Sequence, residues 1–289
     1  MGRFEGKVIF ISGGGSGLGR ECALWWADEG GTVAVTDLVE KRAIEVAEQI
    51  KGKGGTALGL KADVGVESEV EAAVQRTVSE YGRLDIMFAN AGKTVEGFGA
   101  IALEDISEAQ WDDVNDAVYK GVFFCGKHAA RVMKGQRSGN IVVTTSAGGL
   151  NAYPGFGPYC AGKAGAIGLV RSMAYDFGKY GIRVNGLAPT HGMSANFALP
   201  CDADVLGLSY EEAALAESGD SWDPRTFPGP LKVDRPPSLR DNAAVATFLA
   251  SDDSAYMSGV VIPSCDGGSF ARTSIGFPEE WSLDEQVAQ

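Results

Sequence analysis

Short continuous apolar runs alternate with stretches of helical periodicity over the first two thirds of the chain. Residues 7–12 (Lys-Val-Ile-Phe-Ile-Ser) are a continuous apolar run without the alternation of a half-solvated strand, so they predict a strand buried on both faces; 32–37 (Thr-Val-Ala-Val-Thr-Asp), 56–61 and 84–89 also read as strands. Between them, residues 17–29, 41–50 and 67–81 repeat apolar positions at helical spacing. The pattern continues with helices near residues 111–133, a strand over 141–143 and a helix from 156 to about 179. A helix over 239–250 and a strand over 260–262 close the series. Strand–helix alternation at this spacing predicts a parallel, doubly wound α/β sheet flanked by helices, which takes its ligands at the carboxyl ends of the strands. Gly13, Asp37, Asp63, Asn90, Ser146 and the loop at Pro189 all fall at such ends.

Two segments break the pattern. Residues 194–237 hold one short helical piece, 210–217, and a Gly- and Pro-rich stretch carrying Trp222, Phe227 and Leu231. So long an irregular segment inside a compact unit reads as a substrate lid, with a solvated loop as the plainer alternative. Residues 270–289 read as a C-terminal extension. With no repeats and no linker composition, the chain is expected to form one domain over residues 1–289.

Composition narrows the function classes. Acidic residues outnumber basic ones 38 to 25, a formal charge of −13, which disfavours nucleic acid and anionic membrane as partners. No apolar run is long enough to span a bilayer, and the N-terminal residues lack a signal-peptide core. Cys22, Cys125, Cys160, Cys201 and Cys265 are scattered, as in a reducing cytoplasm, and no His, Cys, Asp and Glu spacing suits a metal.

The candidate chemistry lies in Tyr159-Cys-Ala-Gly-Lys163. Positions i and i+4 share a helix face, which brings the Lys163 ammonium near the Tyr159 phenol and predicts a phenol pKa lowered toward neutrality. Ser146, past the 141–143 strand, is placed to reach the same point. Read singly, such a pair is equally a surface contact one turn apart. The first strand runs into Gly13-Gly-Gly-Ser-Gly17-Leu-Gly19 and then a helix, a setting in which glycines let backbone N–H groups approach a phosphate. Asp37, about 20 residues on, suits a ribose diol and repels a 2′-phosphate, so NAD is expected rather than NADP. The plainer reading of Asp37 is a helix cap.

Taken together, the motifs resemble the short-chain dehydrogenase/reductase family, in its single-domain Tyr-x-x-x-Lys branch, over residues 4 to about 270. They are the Gly loop, Asp63-Val64, Asn90-Ala-Gly92, Ser146, Tyr159-x-x-x-Lys163, Arg183-Val-Asn-Gly-Leu-Ala-Pro189, Phe248-Leu-Ala-Ser-Asp252 and Cys265-Asp-Gly-Gly268. The resemblance implies a Rossmann-like sheet of about seven strands and hydride transfer between NAD and a secondary alcohol or ketone. It makes Tyr159 the acid/base, Ser146 a donor to the substrate oxygen and Lys163 the holder of the nicotinamide ribose. The implied cofactor set is Ser12, Gly13, Ser16, Gly17, Leu18, Gly19, Asp37, Leu38, Asp63, Val64, Asn90, Ala91, Gly92, Tyr159, Lys163, Pro189, Gly192 and Ser194. Gly148, Tyr153, Phe156, His191 and Met193 are the expected substrate pocket, pointing to a fairly apolar or cyclic small molecule. A homo-oligomer, dimer or tetramer, is also implied.

The sequence departs from the family where Trp111-Asp-Asp-Val-Asn-Asp-Ala-Val118-Tyr-Lys-Gly-Val-Phe123 places Val118 at the position of a relay asparagine. Asn115, one turn earlier, is either a substitute or a solvated bystander. That departure keeps open an NAD-binding sensor or scaffold without turnover; an epimerase or lyase that recycles bound NAD is a further alternative. Pro189-Thr190 replaces Pro-Gly, and Gly162, Gly165 and Gly168 weaken the helix by about 1 kcal/mol each relative to Ala, which suggests close packing against them.

Overall fold

A computed structural model describes residues 2–94, 101–191, 231–235 and 237–265. Seven parallel strands form one sheet in the order β3-β2-β1-β4-β5-β6-β7. They are β1 (Val8–Ser12), β2 (Thr32–Asp37), β3 (Thr56–Lys61), β4 (Ile86–Ala89), β5 (Gly139–Thr144), β6 (Ile182–Pro189) and β7 (Val261–Ser264). The helices are α1 (Gly17–Asp28), α2 (Glu40–Gly52), α3 (Glu67–Tyr81), α4 (Glu108–Asn115), α5 (Gly121–Gln136), α6 (Gly157–Gly178) and α7 (Leu239–Ala250).

The continuous apolar runs are explained by burial on both sides. Ile9 and Ile11 of β1 face a core built with Trp26 of α1, Val46 and Ile50 of α2, and Leu249 of α7. Phe10, between them, faces the opposite core with Val70 and Val74 of α3, Met133 of α5 and Val170 of α6. Neither face needs polar residues, so period-two alternation disappears. Polar anchors fix the layers: the Trp26 indole N–H donates to Thr247 Oγ1 at 2.8 Å, and Asn140 Nδ2 donates to the carbonyls of Leu249 and Ala250, both at 2.8 Å.

The strand order reverses between β1 and β4, the switch point at whose carboxyl edge sheets of this kind take their ligands. The helical stretch near residues 111–133 is three pieces: α4, a π turn at Asp116–Lys120, and α5. β4 begins at Ile86, just after Asp85, whose carboxylate accepts from Val8 N at 2.9 Å and from Arg83. Of the lid, only residues 231–235 and 237 are described; the 210–217 helical piece, Gly192, Met193, Ser194, Cys201 and the 270–289 extension lie outside the described residues.

Candidate active site

Ser146 lies two residues past β5, at the start of a single 3-10 turn, Ala147–Gly149, and its Oγ accepts from Gly148 N at 3.0 Å. α6 begins at Gly157 with Pro158 in its first turn, where a missing N–H costs nothing. It carries Tyr159 inward to hydrogen-bond with the Ser146 hydroxyl. One turn on, Lys163 is only 2 % exposed; its Nζ lies 5.7 Å from the Tyr159 ring centroid and donates to the Thr144 carbonyl at 2.7 Å.

The electrostatics differ from the sequence expectation. Burial pushes the Tyr159 phenol well above its usual range, the Ser146 hydrogen bond offsetting only part of it, so the phenol is protonated at neutral pH. The lysine does not pull it down, because burial also depresses Lys163, to about 7. A buried ammonium is destabilised by the same low dielectric that disfavours a phenolate.

The Gly loop and Asn90 are tied together behind this pair. Asn90 Nδ2 donates to the carbonyls of Ser12 and Gly13, both at 3.2 Å, and Asn90 N and Ala91 N donate to Ser12 Oγ. Thr144 Oγ1 donates to Asn90 Oδ1 at 2.9 Å. Thr144 therefore joins the Gly loop to Lys163, its hydroxyl bonded to Asn90 and its carbonyl to the ammonium. Nothing in the spacing marks this threonine; it reads only as the end of a strand. Gly13 has φ +62°, and a Cβ there would sit 2.9 Å from the Ala91 backbone, so this position requires glycine.

At the end of β2, Asp37 is buried; its Oδ2 accepts from Gly15 N at 3.1 Å and its Oδ1 from Val39 N at 3.0 Å. Burial raises its pKa, opposed by those two backbone donors and by the charge of Arg42. A Cβ on Gly15 would lie 2.6 Å from Arg42 Cβ and 2.8 Å from Asp37 Oδ2. The start of α2 brings Arg42 beside Asp37. Asp63 Oδ1 accepts from Gly65 N at 2.8 Å, while Val64 is buried against Gly121. Leu38 is exposed.

On the other side, Tyr153, Tyr159 and Cys160 converge on Gly148, whose added Cβ would meet them at 3.1, 3.3 and 3.4 Å. Tyr153 and Phe156 stack tilted at 5.9 Å. Val114, Val118 and Tyr159 form a small apolar cluster with Ile101, Ile106 and Phe156; Ile101 and Ile106 carried no motif in the sequence. Beyond β6, the His191 carbonyl accepts from Asn242 Nδ2 at 2.8 Å, which fixes the start of the loop that follows Pro189.

These residues fit a dinucleotide. α1 starts at Gly17 with neither a side-chain cap nor an acidic residue in its first turn, which leaves its N-terminus to an anion. Asp37 retains acceptor capacity beyond its two backbone donors. Lys163 has three N–H donors, and Thr144 supplies their one hydrogen-bond acceptor among the described residues. Among those residues, no group of three or more His, Cys, Asp or Glu is arranged to hold a metal ion. No helix among them is long and apolar enough to cross a membrane.

Residues 7–197 match the family described as short chain dehydrogenase. The chain is 37 % identical to a secoisolariciresinol dehydrogenase of Forsythia intermedia over 257 residues, covering 89 % of this chain and 87 % of that one. It is 39 % identical to a short-chain dehydrogenase reductase 3c of Arabidopsis thaliana over 272 residues, 92 % of this chain and 95 % of that one. The crystal structure of a levodione reductase superposes with a TM-score of 0.78 at 31 % identity, over 93 % of this chain and all of the other.

Proposed function

We propose that this chain, which belongs to the short-chain dehydrogenase family, is an NAD-dependent oxidoreductase that interconverts a secondary alcohol and a ketone on a fairly apolar or cyclic small molecule. The observation that carries the reading is the Ser146–Tyr159 hydroxyl pair, hydrogen-bonded and buried past the end of β5, with the Lys163 ammonium one turn away. Two hydroxyl groups converging on one point suit one substrate oxygen. Ser146 donates to it and orients it. In reduction, the Tyr159 phenol, kept protonated by burial, gives its proton to the oxygen as that oxygen gains negative charge. In oxidation the Tyr159 oxygen must first lose its proton; the phenolate, stabilised by the nearby Lys163 charge, then takes the proton of the substrate hydroxyl and becomes the phenol again. A bound nicotinamide supplies or accepts the hydride.

The cofactor would be held by the open N-terminus of α1, by Asp37 at the adenosine ribose and by the two remaining N–H groups of Lys163. Asn90 and Thr144 hold those parts in register. Tyr153 and Phe156, with Ile101 and Ile106, support an apolar substrate. A homo-oligomer is supported by the exposed Trp111, Tyr119 and Phe123 beside the outward Ala161, Ala164 and Gly168 of α6. The free state of the described cysteines supports a cytoplasmic setting.

The test is turnover across a panel of secondary alcohols and ketones, followed by nicotinamide absorbance. Tyr159→Phe should lower kcat by roughly 10²–10⁴-fold with cofactor affinity retained. Full turnover by the Phe variant overturns the mechanism. Tight NAD binding without turnover would favour a sensor or scaffold, and product formed without net absorbance change an epimerase or lyase.

A further inference from the structure

Two glycines mark what sits behind Lys163. A Cβ on Gly162 would lie 2.4 Å from Val118 Cγ2 and 2.7 Å from Asn115 Oδ1. A Cβ on Gly92 would lie 3.5 Å from Val118 Cγ1 and 3.4 Å from Lys163 Nζ. The two methyl groups of Val118 therefore fill the space between the loop after β4 and α6, and the side chain is completely buried. The neighbouring amide does not serve the lysine: Asn115 Nδ2 donates back to the Trp111 carbonyl at 2.9 Å, and its oxygen lies against Gly162.

The π turn is what aims this residue. It inserts an extra residue between α4 and α5 and rotates Val118 toward α6. The charged groups on the elements packed around Lys163 are engaged elsewhere. Lys93, after Gly92, pairs with Asp113; Asp116 of the π turn pairs with Lys120. α6 itself presents only the Tyr159 phenol, and β5 the Thr144 carbonyl.

We propose that Val118 is a positioning residue for the Tyr159–Lys163 pair: its isopropyl group denies the lysine ammonium any hydrogen-bonding partner on the α4–α5 side and so reserves the two remaining N–H groups for the cofactor crevice. This rests on the function proposed above for that pair. Burial with no carboxylate in contact agrees with it, since Lys163 is depressed to about 7 by desolvation alone.

The test reads Lys163 directly. In cofactor-free protein carrying ¹³C-labelled lysine, the Cε resonance is titrated, its assignment given by the signal lost in Lys163→Met. Val118→Asn, which brings an amide oxygen to the ammonium, and Val118→Ala, which makes room for water, should each raise the titration midpoint by about one pH unit, tenfold in proton affinity. Val114→Ala, which removes the same methyl groups one turn away in the same cluster, should leave it in place. A midpoint unchanged in the folded Val118 variants, or moved equally by Val114→Ala, overturns the proposal. If Val118→Asn does not fold, Val118→Ala decides alone. Because the titration needs neither turnover nor cofactor, failure of the proposed reaction and failure of this inference are separate results. In active protein, the pH profile of kcat/KM should move with the Cε midpoint.

Discussion

Lys163→Met should make the cofactor-free protein more stable, and by an amount that depends on pH. The native lysine falls from an ordinary 10.5 to about 7 because its ammonium is desolvated without an anionic partner. That gap of about 3.5 pH units, at about 1.4 kcal/mol each, corresponds to about 5 kcal/mol of destabilisation when the group is charged in both states. Below pH 7 folded and unfolded chains both hold the proton, and the whole cost applies. Between about 7 and 10.5 the unfolded chain binds more protons than the folded one, so stability rises with pH. Above 10.5 the cost is gone. Methionine avoids it at every pH, but leaves the buried Thr144 carbonyl without the lysine's bond, a loss of about 1–2 kcal/mol. The variant should therefore exceed the parent by about 3–4 kcal/mol near pH 6, and by no more than about 1 kcal/mol near pH 9. Urea unfolding of both proteins across that range isolates the difference, since every other titrating group is shared. A difference that does not change with pH, or a variant less stable near pH 6, would refute the reasoning. Turnover should be lost in either case.

Two further substitutions test other parts of the site. Asp37→Ala should weaken NAD binding roughly 10–100-fold, the loss of one or two hydrogen bonds to a charged acceptor, and should improve NADP binding because the Arg42 charge beside the ribose site is then no longer opposed by the Asp37 carboxylate. Titration calorimetry with both nucleotides checks this; unchanged NADP affinity, or the same gain in Asp37→Ala/Arg42→Ala, rules out the role given to Arg42. Gly162→Ala should destabilise the protein by about 1–2 kcal/mol, since overpacking against Val118 and Asn115 outweighs the helix propensity gained. Denaturant midpoints read it, and a variant as stable as the parent would show that the π turn is not pressed onto α6.

The sequence by itself determined the sheet and the contents of its carboxyl edge. A strand buried on both faces has no choice but a continuous apolar run, so β1, β2 and β4 were legible from Val8, Val33 and Met87 and their neighbours. The Tyr159–Lys163 relation was equally legible, because i and i+4 spacing on one helix holds whatever packs around it. What one element does to another was not. Thr144 meets both Asn90 and Lys163 only because β5 lies beside β4 and under α6, an arrangement set by strand order. Arg42 reaches Asp37 through the turn into α2, and Gly162 and Gly165 receive Val118 and Tyr119 across a helix pair, whereas a Cβ on Gly168 would meet nothing within 4 Å among the described residues outside its own helix backbone. The direction of the phenol's pKa was a tertiary matter too. Spacing supplies a cation next to Tyr159, but burial decides whether that cation keeps its charge, and burial is a property of everything packed around the pair.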